Sequence, residues 1–112
     1  MMQAELQALI DRRLQVDRSR IVEFCDRWKI TEFALFGSVL RDDFRPDSDV
    51  DVLVTFGNKH GLNWSDWTNM KVELEAMFGR EVDLINQKYL KNPYRRAEIL
   101  ETRRVIYAKE QP

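Results

Sequence analysis

Asp49-Val50-Asp51-Val52-Leu53-Val54-Thr55-Phe56 is the stretch that decides the fold, because it carries the clearest strand signal in the chain. Its β-branched and aromatic residues are typical of a β-strand. Successive strand residues point to opposite faces, so Asp49 and Asp51 share one face while Val50 and Val52 share the other. The stretch therefore predicts a strand with an apolar valine side and two carboxylates on its opposite side.

Three further strands are predicted around this one. Thr31 to Phe36 is rich in aromatic and β-branched residues and ends at Gly37. Ser38 to Phe44 is predicted as a short helical turn that leaves this strand. Glu81 to Ile85 alternates between polar and apolar residues, which indicates a strand after the central one. Arg103 to Tyr107 is predicted as a last strand, at an edge of the sheet.

Apolar residues at helical spacing predict the helices. The first two helices are either separate or one bent helix, because Val16-Asp17 is a weak break between them. A third helix is predicted to begin at the cap Asn63 and to stop at Gly79, and a fourth to begin at Asn92-Pro93. The apolar stripes are Leu6, Leu9, Ile10 and Leu14; Ile21, Phe24, Cys25 and Trp28; and Trp64, Trp67, Met70, Leu74, Met77 and Phe78.

The order of these elements is helix, helix, strand, turn, strand, helix, strand, helix, strand. It predicts an α/β (α+β) fold in which helices flank a small mixed β-sheet. The 112 residues are one domain's worth of sequence, so residues 1–112 are interpreted as a single domain. This length excludes an enzyme that holds its substrate between two lobes of the same chain.

Composition and charge exclude several other classes. Lys and Arg number 18 against 19 Asp and Glu, a formal net charge of -1, so direct binding of nucleic acid is not expected. No stretch approaches the roughly 18 apolar residues of a membrane span. Glu5 and Asp11 interrupt the apolar core that a signal peptide needs, and a single cysteine fits a reducing compartment. We therefore expect a cytoplasmic protein.

Three features of the sequence point to chemistry on phosphates. Gly37-Ser38 follows a strand and opens a helical turn, where exposed backbone N–H groups favour an anion. Asp49 and Asp51 repel each other unless a cation neutralises them, and Mg²⁺ prefers such oxygen ligands. Asp83 completes a cluster of three carboxylates if its strand lies beside the central one. A phosphate cradle beside a three-acid metal site is what nucleotidyl transfer requires.

These residues also carry a resemblance to a known family. Gly37-Ser38, ten intervening residues and Asp49-Val50-Asp51 resemble the GS-x10-DxD signature of the DNA polymerase β-like nucleotidyltransferase superfamily. The run from Gly37 to Asp51 is similar to that of the minimal nucleotidyltransferases, the MNT antitoxins encoded beside HEPN-domain toxins. The resemblance implies a polymerase β palm-like nucleotidyltransferase fold. It is weakest over the first 15 or so residues, which we interpret as a helical extension of the domain.

The resemblance also implies an activity and a partner. Such proteins use ATP and Mg²⁺ to transfer AMP, by two-metal phosphoryl transfer, to a tyrosine hydroxyl of a HEPN RNase toxin. The resemblance implies that this transfer silences the RNase activity of the toxin. It also implies a hetero-oligomer of this chain with the HEPN protein. This chain would then be an antitoxin-type protein adenylyltransferase.

The same resemblance assigns roles to individual residues. Gly37, Ser38 and Arg41 would bind the nucleotide, and Asp49 and Asp51 would bind both metal ions. Asp83 would bind the catalytic metal and help to deprotonate the acceptor. The sequence departs from the family pattern at Asp42, where many relatives have glycine. An added negative charge there either weakens ATP binding or points to solvent.

Two other functions stay open at this point. The same chemistry could act on a small-molecule hydroxyl or an RNA end. In a different class, a non-catalytic module could neutralise a toxin partner by masking it. Asp49 and Asp51 discriminate the two classes, since only the enzyme needs them.

The remaining conspicuous residues receive structural interpretations. Cys25, Trp64 and Trp67 are interpreted as core, although an exposed tryptophan ring would mark a partner surface. Ser48 is expected to orient the loop before Asp49, and His60 is expected to have no specific role. A basic cluster near the C-terminus is interpreted as a solvated face: Lys88, Lys91, Arg95, Arg96, Arg103 and Arg104.

Overall fold

The sheet at the centre of the molecule has the mixed topology predicted from the sequence. The structure is a computed structural model that describes residues 4–57 and 61–109; His60 lies outside the described residues. The elements are α1 (Ala4–Arg13), α2 (Arg18–Trp28), β1 (Ile30–Phe36), β2 (Val50–Phe56), α3 (Trp64–Phe78), β3 (Val82–Asn86), α4 (Pro93–Thr102) and β4 (Arg104–Ala108), with 3₁₀ turns at Gly37–Leu40 and Gln87–Tyr89.

The strands are arranged in the order β3-β2-β1-β4, so β4 lies at an edge as predicted. β1 is antiparallel to both of its neighbours, β2 and β4. β2 and β3 are parallel, and α3 forms the crossover between them. This βαβ unit places the strand of Asp83 beside the strand of Asp51, which meets the condition for a cluster of three carboxylates.

The sheet separates two apolar clusters, because alternate residues of each strand point to opposite faces. The larger cluster joins Val50, Val52 and Val54 of β2 to helices α1, α2 and α3. The smaller cluster joins Leu53 of β2 to Ile99 of α4 on the opposite face. Asp51 has the same strand parity as Leu53, so the acidic face of the sheet is the face that α4 partly covers.

Capping residues set the helix boundaries. Asp17 accepts a hydrogen bond from the Ser19 backbone N–H at 3.1 Å, which begins α2 and makes α1 and α2 separate helices. Asn63 and Asp66 form a reciprocal capping box that begins α3. Asn92 accepts bonds from two backbone N–H groups at the start of α4. The predicted starts of α2, α3 and α4 are thereby confirmed.

Two local predictions were wrong. The helical turn after β1 ends at Leu40 instead of continuing to Phe44, because the chain from residue 41 turns into an irregular loop. Trp64 is not core: it is 81% exposed. It is the first residue of α3, and the helix contacts the core only from Trp67 onwards. Within the described residues, no helix is long and apolar enough to cross a membrane.

Cys25 is buried in α2, as predicted, and its burial leads to a prediction about the reactivity of its thiol. Burial, with the neighbouring Asp26 carboxylate, raises the pKa of the Cys25 thiol to about 12. Since the thiolate is the reactive form, we expect no alkylation of native protein at pH 8 and complete alkylation in denaturant. Mass measurement after iodoacetamide treatment checks this; rapid labelling of the native protein would contradict the burial.

Candidate active site

The turn between β1 and the following 3₁₀ segment brings the backbone against a carboxylate. Gly37 has φ +76, a left-handed backbone conformation that residues with a side chain rarely adopt. A Cβ atom at Gly37 would lie only 2.1 Å from the Asp51 Oδ2 atom. The position therefore requires glycine for two reasons, backbone conformation and space. Gly37 and Ser38, called the GS turn below, lie beside the acidic face, as the sequence pattern predicts.

The two parallel strands place two of the predicted acids side by side. Asp51 of β2 is in register with Asp83 of β3, and parallel neighbours lie about 4.8 Å apart. Asp49 lies one residue before β2 and is exposed, as is Asp83, whereas Asp51 is partly buried between them. The sheet thus presents three carboxylates at the start of two adjacent strands, with Asp51 in the middle.

The environment of Asp51 disfavours its charged form. Burial, followed by the Asp83 and Asp49 carboxylates, raises the pKa of Asp51 from 3.8 to about 6, against the opposing effect of Arg41 and Arg95. Neighbouring negative charges and partial loss of water both act in this direction. The charged form of Asp51 is therefore electrostatically destabilised, and a bound cation or a cationic side chain would stabilise it.

The donor set fits a divalent cation in its chemistry. Carboxylate oxygens are the ligands that Mg²⁺ prefers, and the three acids repel one another without a counter-charge. In the described residues 4–57 and 61–109, no three acid, histidine or cysteine side chains converge as a finished metal site. The strand register places Asp51 beside Asp83. The side chains of Asp49 and Asp83 are exposed, so packing in the sheet does not prevent them from turning towards a cation.

A cavity of about 660 Å³ opens beside Asp51 and the GS turn. Arg41, which is predicted to bind the nucleotide, lines this cavity, although its Nε atom also lies 3.2 Å from Asp43. Arg95 of α4 lines the same cavity. The complete lining is Phe36, Gly37, Leu40, Arg41, Asp51, Arg95, Glu98, Ile99, Thr102 and Arg104. Its charged residues are three arginines and two carboxylates, Asp51 and Glu98. Arginines suit a phosphate chain, and the Asp51 carboxylate suits a metal ion held near it.

Arg95 is the site residue that sequence reasoning missed. It was interpreted as part of a solvated basic face, and it is exposed as predicted, but it also lines the cavity of Asp51. The interpretation was wrong for Arg103, which is partly buried and forms an ion pair of 3.2 Å with Glu32. The local sequence of α4 carries no signal for this, because only the tertiary placement of α4 on the acidic face brings Arg95 there.

A second groove, of about 1060 Å³, continues from the first. Arg95 lines both. Its walls include Trp64, Trp67 and Tyr89, and of these Trp64 and Tyr89 are largely exposed. The groove also follows Leu84, Ile85 and Asn86, the residues of β3 that come after Asp83. This aromatic surface therefore adjoins the cavity of Asp51 at Arg95.

The structure of the loop before Asp49 bears on two sequence predictions, those for Ser48 and Asp42. Ser48 Oγ accepts the Arg45 backbone N–H at 3.0 Å, so Ser48 orients this loop as expected. The Asp42 side chain is fully exposed and lies 3.7 Å from Arg13. Of the two alternatives for Asp42, the structure favours the one in which it points to solvent.

Comparison with known proteins agrees with this geometry. The profile of the nucleotidyltransferase domain family matches residues 19–106. A Methanocaldococcus jannaschii protein named as a protein adenylyltransferase is 36% identical over 76 residues, 68% of this chain and 76% of that protein. A solved minimal nucleotidyltransferase superposes with a TM-score of 0.67 at 31% identity, over 86% of this chain and 93% of that one.

A more distant structure shares the fold. It is a complex of an MNT antitoxin with a tri-AMPylated HEPN toxin of Shewanella oneidensis, with a TM-score of 0.60 and 16% identity. The match covers 82% of this chain and 70% of the matched chain. The family match itself spans the GS turn and all three carboxylates. By that match, and by its likeness to a solved minimal nucleotidyltransferase, the chain belongs to the nucleotidyltransferase domain family.

Proposed function

We propose that this protein is an antitoxin-type adenylyltransferase that transfers AMP from ATP to a tyrosine hydroxyl of a partner HEPN toxin. The observation that carries the proposal is the contact between Gly37 and Asp51, with Asp83 in register on the next strand. That contact joins a phosphate-binding turn to a carboxylate pair, which is the arrangement nucleotidyl transfer needs. The cytoplasm, where ATP is available, is the proposed location.

Different residues are proposed to bind the phosphates and the metal ion. Backbone N–H groups of the GS turn, with Arg41 and Arg95, bind and orient the phosphates of ATP in the 660 Å³ cavity. Asp49, Asp51 and Asp83 would hold Mg²⁺. When bound, the cation supplies Lewis-acid stabilisation of the negative charge on the transferred group.

The reaction balances without any further reagent. The tyrosine oxygen of the acceptor bonds to the α-phosphorus of ATP, and the bond from that phosphorus to pyrophosphate breaks. The acceptor proton passes to a carboxylate oxygen of Asp83 and from there to water. Asp83 suits this role because it is exposed on the edge strand β3, where an acceptor from another chain can reach it.

A protein acceptor is supported by the shape of the site and by the relatives. The second groove is open and aromatic, as surfaces that bind proteins often are. The relative in Methanocaldococcus jannaschii is named for adenylyl transfer to protein. The Shewanella oneidensis complex joins an MNT antitoxin to an AMPylated HEPN toxin on the same fold. We therefore propose a HEPN protein as acceptor, in a hetero-oligomer with this chain.

The proposal is tested by intact mass measurement of the partner HEPN protein after incubation with ATP, Mg²⁺ and this protein. We expect whole AMP units to be added with wild type. Asp49→Asn should slow transfer by about 100-fold or more, because it removes one charge from the carboxylate site. Asp47→Asn is the matched control: it removes an exposed charge two residues away and should leave the rate unchanged.

Two outcomes would contradict the proposal. One is an unmodified partner with the wild-type protein. The other is equal protection of cells from the toxin by wild type and Asp49→Asn, which would indicate neutralisation by masking. If AMP appears instead on an RNA end or a small molecule supplied in the same assay, the chemistry stands and the acceptor is wrong.

A further inference from the structure

The segment from residue 41 to residue 49, the connecting loop, joins the GS turn to the carboxylate pair without helix or strand. Most of its side chains are exposed. At its end the Ser48 N–H donates to the Arg45 carbonyl and the Arg45 N–H donates to Ser48 Oγ, both at 3.0 Å. At its start the Arg41 N–H donates to the Ser38 carbonyl at 2.9 Å and the Phe44 N–H to the Arg41 carbonyl at 3.4 Å. These bonds are local and lie in exposed chain, where backbone hydrogen bonds open easily. Contacts from other elements therefore add to the order of the loop.

Arg13, in the last turn of α1, contacts the first half of the loop. Its Nη1 atom donates to the Val39 carbonyl at 2.9 Å and also to the Arg41 carbonyl. The guanidinium lies 5.8 Å from the centre of the Phe44 ring, and the side chain is only 17% exposed. Arg13 lies outside residues 19–106, the range of the family match. Its contacts therefore tie the N-terminal helix of this chain to the site.

Arg80, between α3 and β3, contacts the second half of the loop. Its Nη1 atom donates to the Arg45 carbonyl at 2.9 Å and to the Ser48 carbonyl at 3.0 Å. The next residue, Glu81, accepts the Val50 N–H at 2.9 Å through its carbonyl. Arg80 is thus anchored to the beginning of both β2 and β3, next to the in-register acids.

Phe44 connects the two arginines. Its ring packs against the larger apolar cluster, and the Arg80 guanidinium lies 4.3 Å from the ring centre. The ring therefore faces two guanidinium groups that together bind four backbone carbonyls between residues 39 and 48. Cation–π contact and planar donor geometry are properties of arginine that lysine reproduces poorly.

We propose that Arg13, Phe44 and Arg80, the arginine clamp, are positioning residues that fix the connecting loop and so hold the GS turn and Asp49 in register for nucleotide binding. The proposal deepens the proposed function and rests on it. The clamp touches no substrate. It acts through the carbonyls of Val39 and Ser48, which directly follow Ser38 and directly precede Asp49.

The test uses the charge-preserving variants Arg13→Lys and Arg80→Lys, with Phe44→Leu as a variant that touches no hydrogen bond. Arg12→Lys, at the exposed neighbour of Arg13 on α1, is the matched control. Hydrogen exchange measured on peptides covering residues 41–49 reports loop order without any catalytic step. Affinity for AMP-PNP in the presence of Mg²⁺ reports nucleotide binding, and the rate of AMP transfer to the partner separates kcat from KM.

We expect each clamp variant to increase loop exchange by about tenfold and to weaken AMP-PNP binding by about tenfold. Exchange in the sheet and the melting temperature should stay near the wild-type values, and Arg12→Lys should change nothing. Unchanged loop exchange would overturn the clamp, as would faster exchange with unchanged nucleotide affinity. Loss of exchange protection throughout the sheet would also overturn it, since it would show a general structural role.

These outcomes are separable from failure of the proposed function. If wild type transfers no AMP to the partner but the clamp variants change loop exchange and AMP-PNP affinity, the activity is wrong and the clamp stands. If wild type transfers AMP and the clamp variants match it in kcat, KM and loop exchange, the activity stands and the clamp is wrong.

Discussion

Replacing Asp51 by asparagine should abolish AMP transfer while making the folded protein more stable at neutral pH. Asp51 is the central carboxylate, in contact range of the GS turn and in register with Asp83. Its loss should lower the transfer rate by about 1000-fold or more, as removal of a central electrostatic contact does in other enzymes. Asparagine keeps the shape of the side chain and removes the charge that burial and the two neighbouring acids disfavour.

The sign of the stability change follows from proton binding. Burial and the adjacent carboxylates raise the pKa of Asp51 from 3.8 to about 6, so the folded protein holds this proton more tightly than the unfolded chain. Raising the pH through that range therefore costs stability in wild type, and the asparagine side chain of the variant does not titrate. After allowance for partial exposure, we expect the variant to gain about 1–2 kcal/mol in the free energy of unfolding at pH 7.

Urea unfolding of both proteins at pH 4 and pH 7, with EDTA present, measures this difference. The gain should be small at pH 4 and full at pH 7. Asp47→Asn serves as control and should change the free energy of unfolding by less than about 0.5 kcal/mol at either pH. A variant that is less stable than wild type at pH 7 would show that Asp51 is not under electrostatic strain in the folded protein.

Replacing Gly37, the backbone partner of Asp51 in the site, by alanine is also expected to disable AMP transfer. The added Cβ atom would lie 2.1 Å from Asp51 Oδ2, so the carboxylate has to move. The left-handed backbone conformation adds about 1–3 kcal/mol of strain for a residue with a side chain. Because displacement of a catalytic group by about 1 Å costs about 100-fold in rate, we expect at least that loss in AMP transfer.

Gly79→Ala is the matched control for this variant. Gly79 has φ +69, close to that of Gly37, but a Cβ atom there would meet nothing within 4 Å. It should cost about 1–3 kcal/mol of stability, from backbone strain alone, and leave transfer intact. If Gly37→Ala folds poorly, the double variant with Asp51→Ala decides. Removing the carboxylate makes room for the added Cβ atom, so Gly37→Ala should cost less stability in the Asp51→Ala background than in wild type. Simple additivity would contradict the contact.

The sequence predicted the acidic face of the sheet for a physical reason. Alternation along β2 and β3 assigns Asp51 and Asp83 to the face opposite the valines without any knowledge of packing. That the two strands are neighbours was only a condition at the level of sequence, and the structure meets it through the α3 crossover, which makes them parallel. Gly37 was identified because a glycine between a strand and a helical turn lets the backbone approach an anion. Each of these signals is local in sequence.

What the sequence did not predict depends on contacts between distant residues. Arg95 lies 44 positions after Asp51, and only the packing of α4 on the acidic face brings it to the cavity. Arg13 and Arg80 contact the connecting loop from different elements. Trp64 continues the apolar stripe of its helix, so its spacing predicted burial, and the start of α3 outside the core leaves it exposed.

We propose above that this site transfers the nucleotidyl group of ATP. The most direct measurement incubates the protein, Mg²⁺ and its partner HEPN protein with ATP labelled at either the α- or the γ-phosphorus. We predict that the partner acquires label from α-labelled ATP alone, that pyrophosphate is released in equal amount, and that Asp51→Asn gives neither. Label from γ-labelled ATP on the partner, or no label from α-labelled ATP, would show that the site does not transfer AMP to this partner.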